Sequence, residues 1–260
     1  MALQNERLTK PMTQKLAAVH IGTSGWHYDH WKGPFYPEDM GSDAWLSYYT
    51  DHFQTVEINN TFYQLPSEET FTQWRDSVPD SFIFAVKANR YITHMKNLKD
   101  PQEALDNFMR GASLLGPKLG PILFQLPPHW HCNIKRLSAF LELLPAGFQY
   151  TFEFRDPTWF QDSVYDLLAD HNIAFCLYEI AGRASPQQVT ADFIYVRLHG
   201  PEEKAYQGQY STKELSEWAE VFNTWQKEGK AVYCYFDNDE AGYAPQDAQR
   251  LWTMCEGDHT

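Results

Sequence analysis

The sequence predicts a single (β/α)8 barrel of the TIM type that lacks a regular helix between its sixth and seventh strands. Three observations lead there. Eight short β-rich runs recur along the 260 residues, helical periodicity fills nearly every interval between them, and no linker or low-complexity segment divides the chain. No GxGxxG follows a strand and no Walker-type phosphate loop is present, so the usual signs of an open nucleotide-binding sheet are missing. We read residues 1–19 as an N-terminal extension and residues 20–260 as the barrel.

The runs are His20–Ser24, Thr55–Asn59, Phe82–Lys87, Ile122–Gln125, Tyr150–Phe154, Ala174–Leu177, Ile194–Leu198 and Val232–Phe236. Ser42, as an N-cap, opens the first helical pattern, with Trp45, Tyr48 and Tyr49 on one face. Ser67 opens the second, which carries Phe71, Trp74 and Val78. Pro101, in a first turn, begins the third, with Leu105, Phe108, Met109 and Ala112 inward. Leu137, Phe140, Leu141 and Leu144 mark the fourth, and Val164, Leu167 and Leu168 the fifth. Thr212 caps a longer one through Leu215, Trp218, Phe222 and Trp225, and Ala248, Leu251, Trp252 and Cys255 mark the last. Residues Glu179 to Asp192 carry Gly182 and Pro186 but no apolar stripe, so a loop is expected there.

Charge argues against a nucleic-acid binder. Lys and Arg number 21 against 34 Asp and Glu, a formal net charge of −13, and no basic run offers a stripe for phosphates. Aromatic residues make up 16% of the chain, which raises the prospect of a stacking surface. The four cysteines are far apart, and Cys176 and Cys234 lie in apolar runs as expected of buried thiols. The first 19 residues lack an apolar signal core, and no stretch approaches the ~20 apolar residues of a membrane span, so a cytoplasmic protein without a membrane partner is expected. Oligomeric state stays open.

Barrel strands alternate between an inward and a helix-facing side. Val56 and Ile58 suit the helices, which turns Glu57 and Asn59 inward. The same reasoning turns Lys87, Glu153, Arg155, Arg197 and His199 inward, with Gln125 at the same level. All lie late in their strands, at the C-terminal face where this architecture builds chemistry. Buried charges are costly unless paired or wetted, so either a shared polar site or a layer of mutually satisfied ion pairs is implied.

Several blocks resemble a known family. Gly22-Thr23-Ser24-Gly25-Trp26-His27-Tyr28 with Trp31 to Pro37, Val56 to Tyr63, Lys87 to His94, Phe124 to Pro128, Glu153-Phe154-Arg155 with Trp159, Tyr195 to Gly200, and Tyr233 to Asp239 are similar, in order, to the motifs of the YecE-like domain-of-unknown-function family. The resemblance implies a TIM barrel and supplies no activity. Asp237 stands where an Asn is commoner in that family, a departure at the eighth strand.

Several chemistries fit these residues. Glu57 and Glu153 are inward carboxylates of the kind that serve as acid and base, or in glycoside cleavage, although nearby cations would suit them to anchoring. Lys87, Arg90, Arg155, Arg197 and His199 form a cationic cluster fit for a phosphate or carboxylate, with His199 or Lys87 as acid/base. The catalytic set is therefore Glu57, Lys87, Glu153, Arg197 and His199. Ser24, Trp26, Tyr28, Asn59, Tyr63, Arg90, Gln125, Arg155 and Asn238 are assigned to substrate binding, with Trp26 and Tyr63 as the stacking rings. No cofactor and no metal-ligand motif is assigned. A divalent metal held by His27, His30, His94 or His199 with Glu57 or Asp239 stays open. An enzyme for a small anionic, ring-bearing substrate is the first reading. A non-catalytic ligand-binding module, a metal-assisted phosphodiesterase and a glycoside hydrolase are the others.

Overall fold

The structure, a computed structural model, describes residues 16–257. Among the described residues nine strands are present: β1 Val19–Thr23, β2 Thr55–Ile58, β3 Ile83–Lys87, β4 Leu119–Gln125, β5 Tyr150–Glu153, β6 Ala174–Ile180, β7 Arg183–Ala184, β8 Phe193–Leu198 and β9 Ala231–Phe236. Eight of them run parallel in the order β1-β9-β8-β6-β5-β4-β3-β2, and β7 folds back antiparallel on β6. This is the predicted barrel. Residues 1–15 of the front extension lie outside the described residues.

The barrel closes between β1 and β2 by an unusual seam. Only Ser24 and Glu57 form a bridge there, with the Gly25 amide donating to the Glu57 carbonyl at 2.8 Å. Below it the Tyr49 hydroxyl stands between the strands. It accepts from the Thr23 amide at 3.0 Å and donates to the Thr55 carbonyl at 3.1 Å. Gly22 permits this approach, since a Cβ there would lie 2.2 Å from the Thr55 oxygen.

Eight helices flank the strands: α1 Trp45–Thr50, α2 Asn60–Tyr63, α3 Glu68–Asp76, α4 Gln102–Ala112, α5 Ile134–Leu141, α6 Asp162–Asp170, α7 Thr212–Lys227 and α8 Tyr243–Gly257. Two of the predicted caps are corrected. Ser42 begins a 3-10 turn without capping it, and Ser211 rather than Thr212 caps α7, in a reciprocal capping box with Glu214. Ser67 caps α3 as expected, accepting from the Thr70 amide at 3.2 Å.

Between β6 and β8 a hairpin and loop replace a helix. The loop satisfies β6 directly: Ser185 Oγ accepts from the Tyr178 amide and Thr190 Oγ1 from the Phe175 amide, at 2.9 and 2.8 Å. The alternation of the strands divides the core in two. Outward residues such as Val56, Phe84, Phe124, Phe152 and Val196 pack against the helices. Inward residues, among them Ala85, Leu123, Cys176, Phe193, Tyr195 and Tyr235, fill the barrel axis. Polar residues occupy the level above this apolar plug.

Candidate functional site

The polar level is organised around Arg197, the inward residue near the end of β8. Its guanidinium is 1% exposed. Nε and Nη2 donate to the two oxygens of Glu57 at 3.0 and 2.8 Å, Nη1 donates to Glu153 Oε2 at 2.9 Å, and Nη2 reaches Ser24 Oγ at 3.0 Å and Asp237 Oδ2 at 3.2 Å. The remaining capacity of Glu57 is taken by the Ser24 hydroxyl and by the Tyr195 hydroxyl at 2.7 Å. Glu153 also accepts from Arg155 Nε. Ser24 itself is saturated, because it donates to Glu57 while accepting from Arg197 and from Asn59 Nδ2 at 2.6 Å.

Charge follows this wiring. Burial alone would raise the Glu153 carboxyl, but Arg155 and Arg197 outweigh it and hold it well below the usual carboxylate range. Burial likewise works against the Arg197 cation, and Glu57, Glu153 and Asp237 more than restore it. Neither glutamate of this pair has an idle oxygen for proton transfer. Glu57 and Glu153, expected as acid and base, and Arg197, expected as an anion-binding cation, here bind one another and form the floor of the site.

His199 is wired into the same network. Arg155 Nη2 and Arg197 Nη1 approach its Nε2 at 2.9 and 3.3 Å, and a guanidinium only donates. Nε2 therefore accepts, and Nδ1 carries the proton it donates to Asp237 Oδ2 at 2.9 Å. Burial and the Arg197 field push the imidazole down to about 4. His199 is a neutral, fully engaged link rather than an acid/base group near neutral pH.

Above this floor, several groups remain unspent. The ammonium of Lys87, at the end of β3, makes no hydrogen bond or ion pair among the described residues, and its Nζ lies 4.4 Å from the centre of the Phe62 ring. Burial and the Arg197 charge push its ammonium down to about 8, against the opposing pull of Glu57, Glu153 and Asp237. Gln125, at the end of β4, also has no side-chain hydrogen bond among the described residues. Arg155 lies over the Tyr178 ring at 4.7 Å and keeps Nη1 free of protein partners among the described residues.

His94, absent from the sequence-predicted binding set and considered there only for metal, belongs to this sector. It sits on the single π-helical turn Tyr91–Met95, edge-on to Phe62 at 5.0 Å. Burial and the fields of Lys87, Arg90 and Arg155 lower its pKa, while Glu153 opposes them. Lys87 and His94 are thus both shifted down on the side of the mouth where Arg90, Arg155 and Arg197 lie.

The aromatic residues divide. Trp31, Tyr36 and Trp159 are fully buried packing residues. Trp26, Tyr28, Asn59, Tyr63 and Trp74 line a pocket of about 460 Å3 beside the mouth, and Tyr63 is 69% exposed there. Arg90 sits 5.8 Å over the Tyr63 ring. Asn59 joins pocket and floor through its bond to Ser24. Asn238 is not part of the site: it is fully buried and its amide ties the Gly208 carbonyl to Asp247 of α8 at 2.9 and 2.8 Å. Inward participants missed in the sequence are Tyr195, Asp237 and Tyr178. Among the described residues, no group of three or more His, Cys, Asp or Glu side chains is placed to hold a metal ion. No helix among them is long and apolar enough to cross a membrane.

Known proteins resemble this chain in sequence, and a solved structure resembles it in fold. YunF of Bacillus subtilis, a UPF0759 protein, is 25% identical over 92% of this chain and 95% of its own length. YecE of Escherichia coli K12, also a UPF0759 protein, is 32% identical over 55% of this chain and half of its own. The crystal structure of a DUF72 family protein from Thermotoga maritima superposes with a TM-score of 0.84 at 31% identity, covering 92% of this chain and 99% of that one. A profile described as "Protein of unknown function DUF72" matches residues 20–260. With the barrel, the ordered motifs and this match across nearly the whole chain in agreement, the protein belongs to the DUF72 family.

Proposed function

We infer that the chain binds a small anionic, ring-bearing molecule at the mouth of its barrel and acts on it as an enzyme. The observation that carries this reading is the ammonium of Lys87, half-buried and without an ion-pair partner among the described residues, in a level where Glu57, Glu153, Arg197 and Asp237 are paired. Leaving a partly desolvated ammonium without a partner costs free energy, and an anion bound at the mouth would remove that cost. Arg155 Nη1, Gln125 and Arg90 would supply the further donors, and the pocket edged by Trp26 and Tyr63 would take the ring. Lys87 is then the acid/base group, since it titrates near the working pH and touches the proposed ligand.

One observation favours a non-catalytic binding module. Both glutamates are locked by Arg197, so the mouth has a single uncommitted titratable group on its barrel strands rather than a base and acid pair. The same locking removes support for glycoside cleavage by Glu57 and Glu153, which needs one protonated carboxyl. The reading is tested by native mass spectrometry of the purified chain against a metabolite panel, repeated with Lys87→Met. Binding of phosphates or carboxylates that falls about tenfold or more in the variant is expected for loss of one charge-assisted contact. Ligands that are neutral, or that bind the variant equally well, would overturn it.

A further inference from the structure

Resting on that reading of the mouth, we propose that Lys87 is a Schiff-base residue whose Nζ condenses with the carbonyl carbon of an aldehyde or ketone that also carries a carboxylate or phosphate. The geometry isolates this amine. It ends β3 with its Nζ against the Phe62 face at 4.4 Å, and the Nζ makes no hydrogen bond or ion pair among the described residues. The carboxylates that would otherwise neutralise it are held by other cations: Glu57 by Arg197, and Glu153 by Arg155 and Arg197. A lysine becomes nucleophilic when it is desolvated beside other cations, and here the Phe62 face covers the amine and the Arg197 charge opposes its protonation. Its ammonium is pushed down to about 8, so at pH 7 its free-amine fraction exceeds that of a lysine titrating at 10.5 by a factor on the order of 300.

The step balances without a further reactant. The Nζ lone pair forms a bond to the carbonyl carbon and the carbonyl oxygen takes a proton, giving a carbinolamine. The C–O bond then breaks, the oxygen leaves as water with both amine hydrogens, and a C=N bond remains; nothing is oxidised or reduced. His94 is suited to carry the proton. Its ring meets the same Phe62 ring, its Nδ1 pairs with Thr93 Oγ1 at 2.8 Å, and its Nε2 has no partner among the described residues. The anionic group of the substrate would face Arg155 Nη1 and Arg90, which have no other use for those donors among the described residues.

The whole chain is incubated with glyoxylate, with pyridoxal phosphate and with uncharged butyraldehyde, each with cyanoborohydride, and adducts are located by peptide mass spectrometry. The expected result is labelling of Lys87 by at least one anionic carbonyl, about tenfold or more faster than labelling of the exposed Lys213. The glyoxylate and pyridoxal phosphate arms separate a carboxylate from a phosphate requirement. Arg155→Lys and the surface change Arg90→Met should slow the anionic reagents and leave butyraldehyde unchanged. Labelling of Lys87 no faster than Lys213 by all three reagents would overturn the proposal, and equal labelling by butyraldehyde would overturn its anionic part. Thermal shift with oxalate and inorganic phosphate separates the two readings. Stabilisation that depends on Lys87, without labelling, overturns the Schiff base alone, whereas neither effect overturns both.

Discussion

Arg197 and Glu57 are joined by two parallel hydrogen bonds, Nε to Oε2 at 3.0 Å and Nη2 to Oε1 at 2.8 Å, with both side chains shut off from water. The pair lies across the barrel interior, between β8 and β2, and so ties together strands that are not neighbours in the sheet. Its loss would strand a buried charge. Arg197→Met is therefore expected to destabilise the fold by about 3–5 kcal/mol, measured by urea unfolding, since Glu57, Glu153 and Asp237 all lose their shared donor. A change below about 1 kcal/mol would show that the network is not needed for stability.

Lys87→Met should behave in the opposite way. The folded-state pKa of Lys87 is depressed, from 10.5 to about 8, so its unfavourable contribution is largest at neutral pH and disappears as pH rises from about 8 to 10.5. Unliganded protein carrying Lys87→Met should be as stable as the parent at pH 7 or more so, by up to about 3 kcal/mol, with the difference closing towards pH 10.5. Urea midpoints of the two proteins across that range give the comparison. A variant clearly less stable at pH 7 would mean that Lys87 has a partner in the fold.

His199 makes a separate acid-side prediction. Its pKa is depressed from 6.5 to about 4, so the stability it contributes is complete above 6.5 and is lost as pH falls towards 4. His199→Asn keeps a donor for Asp237 and removes the titration, so the fall in stability between pH 6.5 and 4 should flatten. In the parent protein, 15N-resolved spectra of the imidazole at pH 7 should show the neutral ring with its proton on Nδ1. A proton on Nε2, or a charged ring, would contradict the wiring.

The β1–β2 seam can be tested with one atom. Tyr49→Phe removes the hydroxyl that links the Thr23 amide to the Thr55 carbonyl while keeping the buried ring. The expected cost is about 1–3 kcal/mol, the range for buried polar groups left without a partner. Amide exchange at Thr23 should quicken more than at strand residues distant from the seam, and uniform exchange would argue that the seam closes without Tyr49.

The alternation of strands made much of the site legible. Glu57, Glu153 and Arg197 each stand between two apolar residues that face the helices, and the structure turns all three inward. The pairing was not legible, because which cation meets which carboxylate depends on the stagger of strands around the barrel. Tyr195 and Cys176 read as ordinary core for the same reason that they are inward: they are apolar enough to fill the axis. Asn238 was misplaced although the alternation that sends Asp237 inward sends its neighbour out towards α8. His94 lies on a π-helical turn, where neither period two nor period 3.6 gives a direction. The type of His199 and its inward position point to acid/base work, and only the approach of two guanidinium groups reveals that its lone pair is occupied.

An uncompensated Lys87 ammonium that an anion at the barrel mouth would neutralise must show itself in the titration of that lysine. In protein labelled with 13C at the lysine ε-carbon, the Lys87 signal should titrate near 8 in the absence of anions, and its midpoint should move upward with excess inorganic phosphate. A midpoint at the ordinary 10.5 that phosphate does not move would contradict the account.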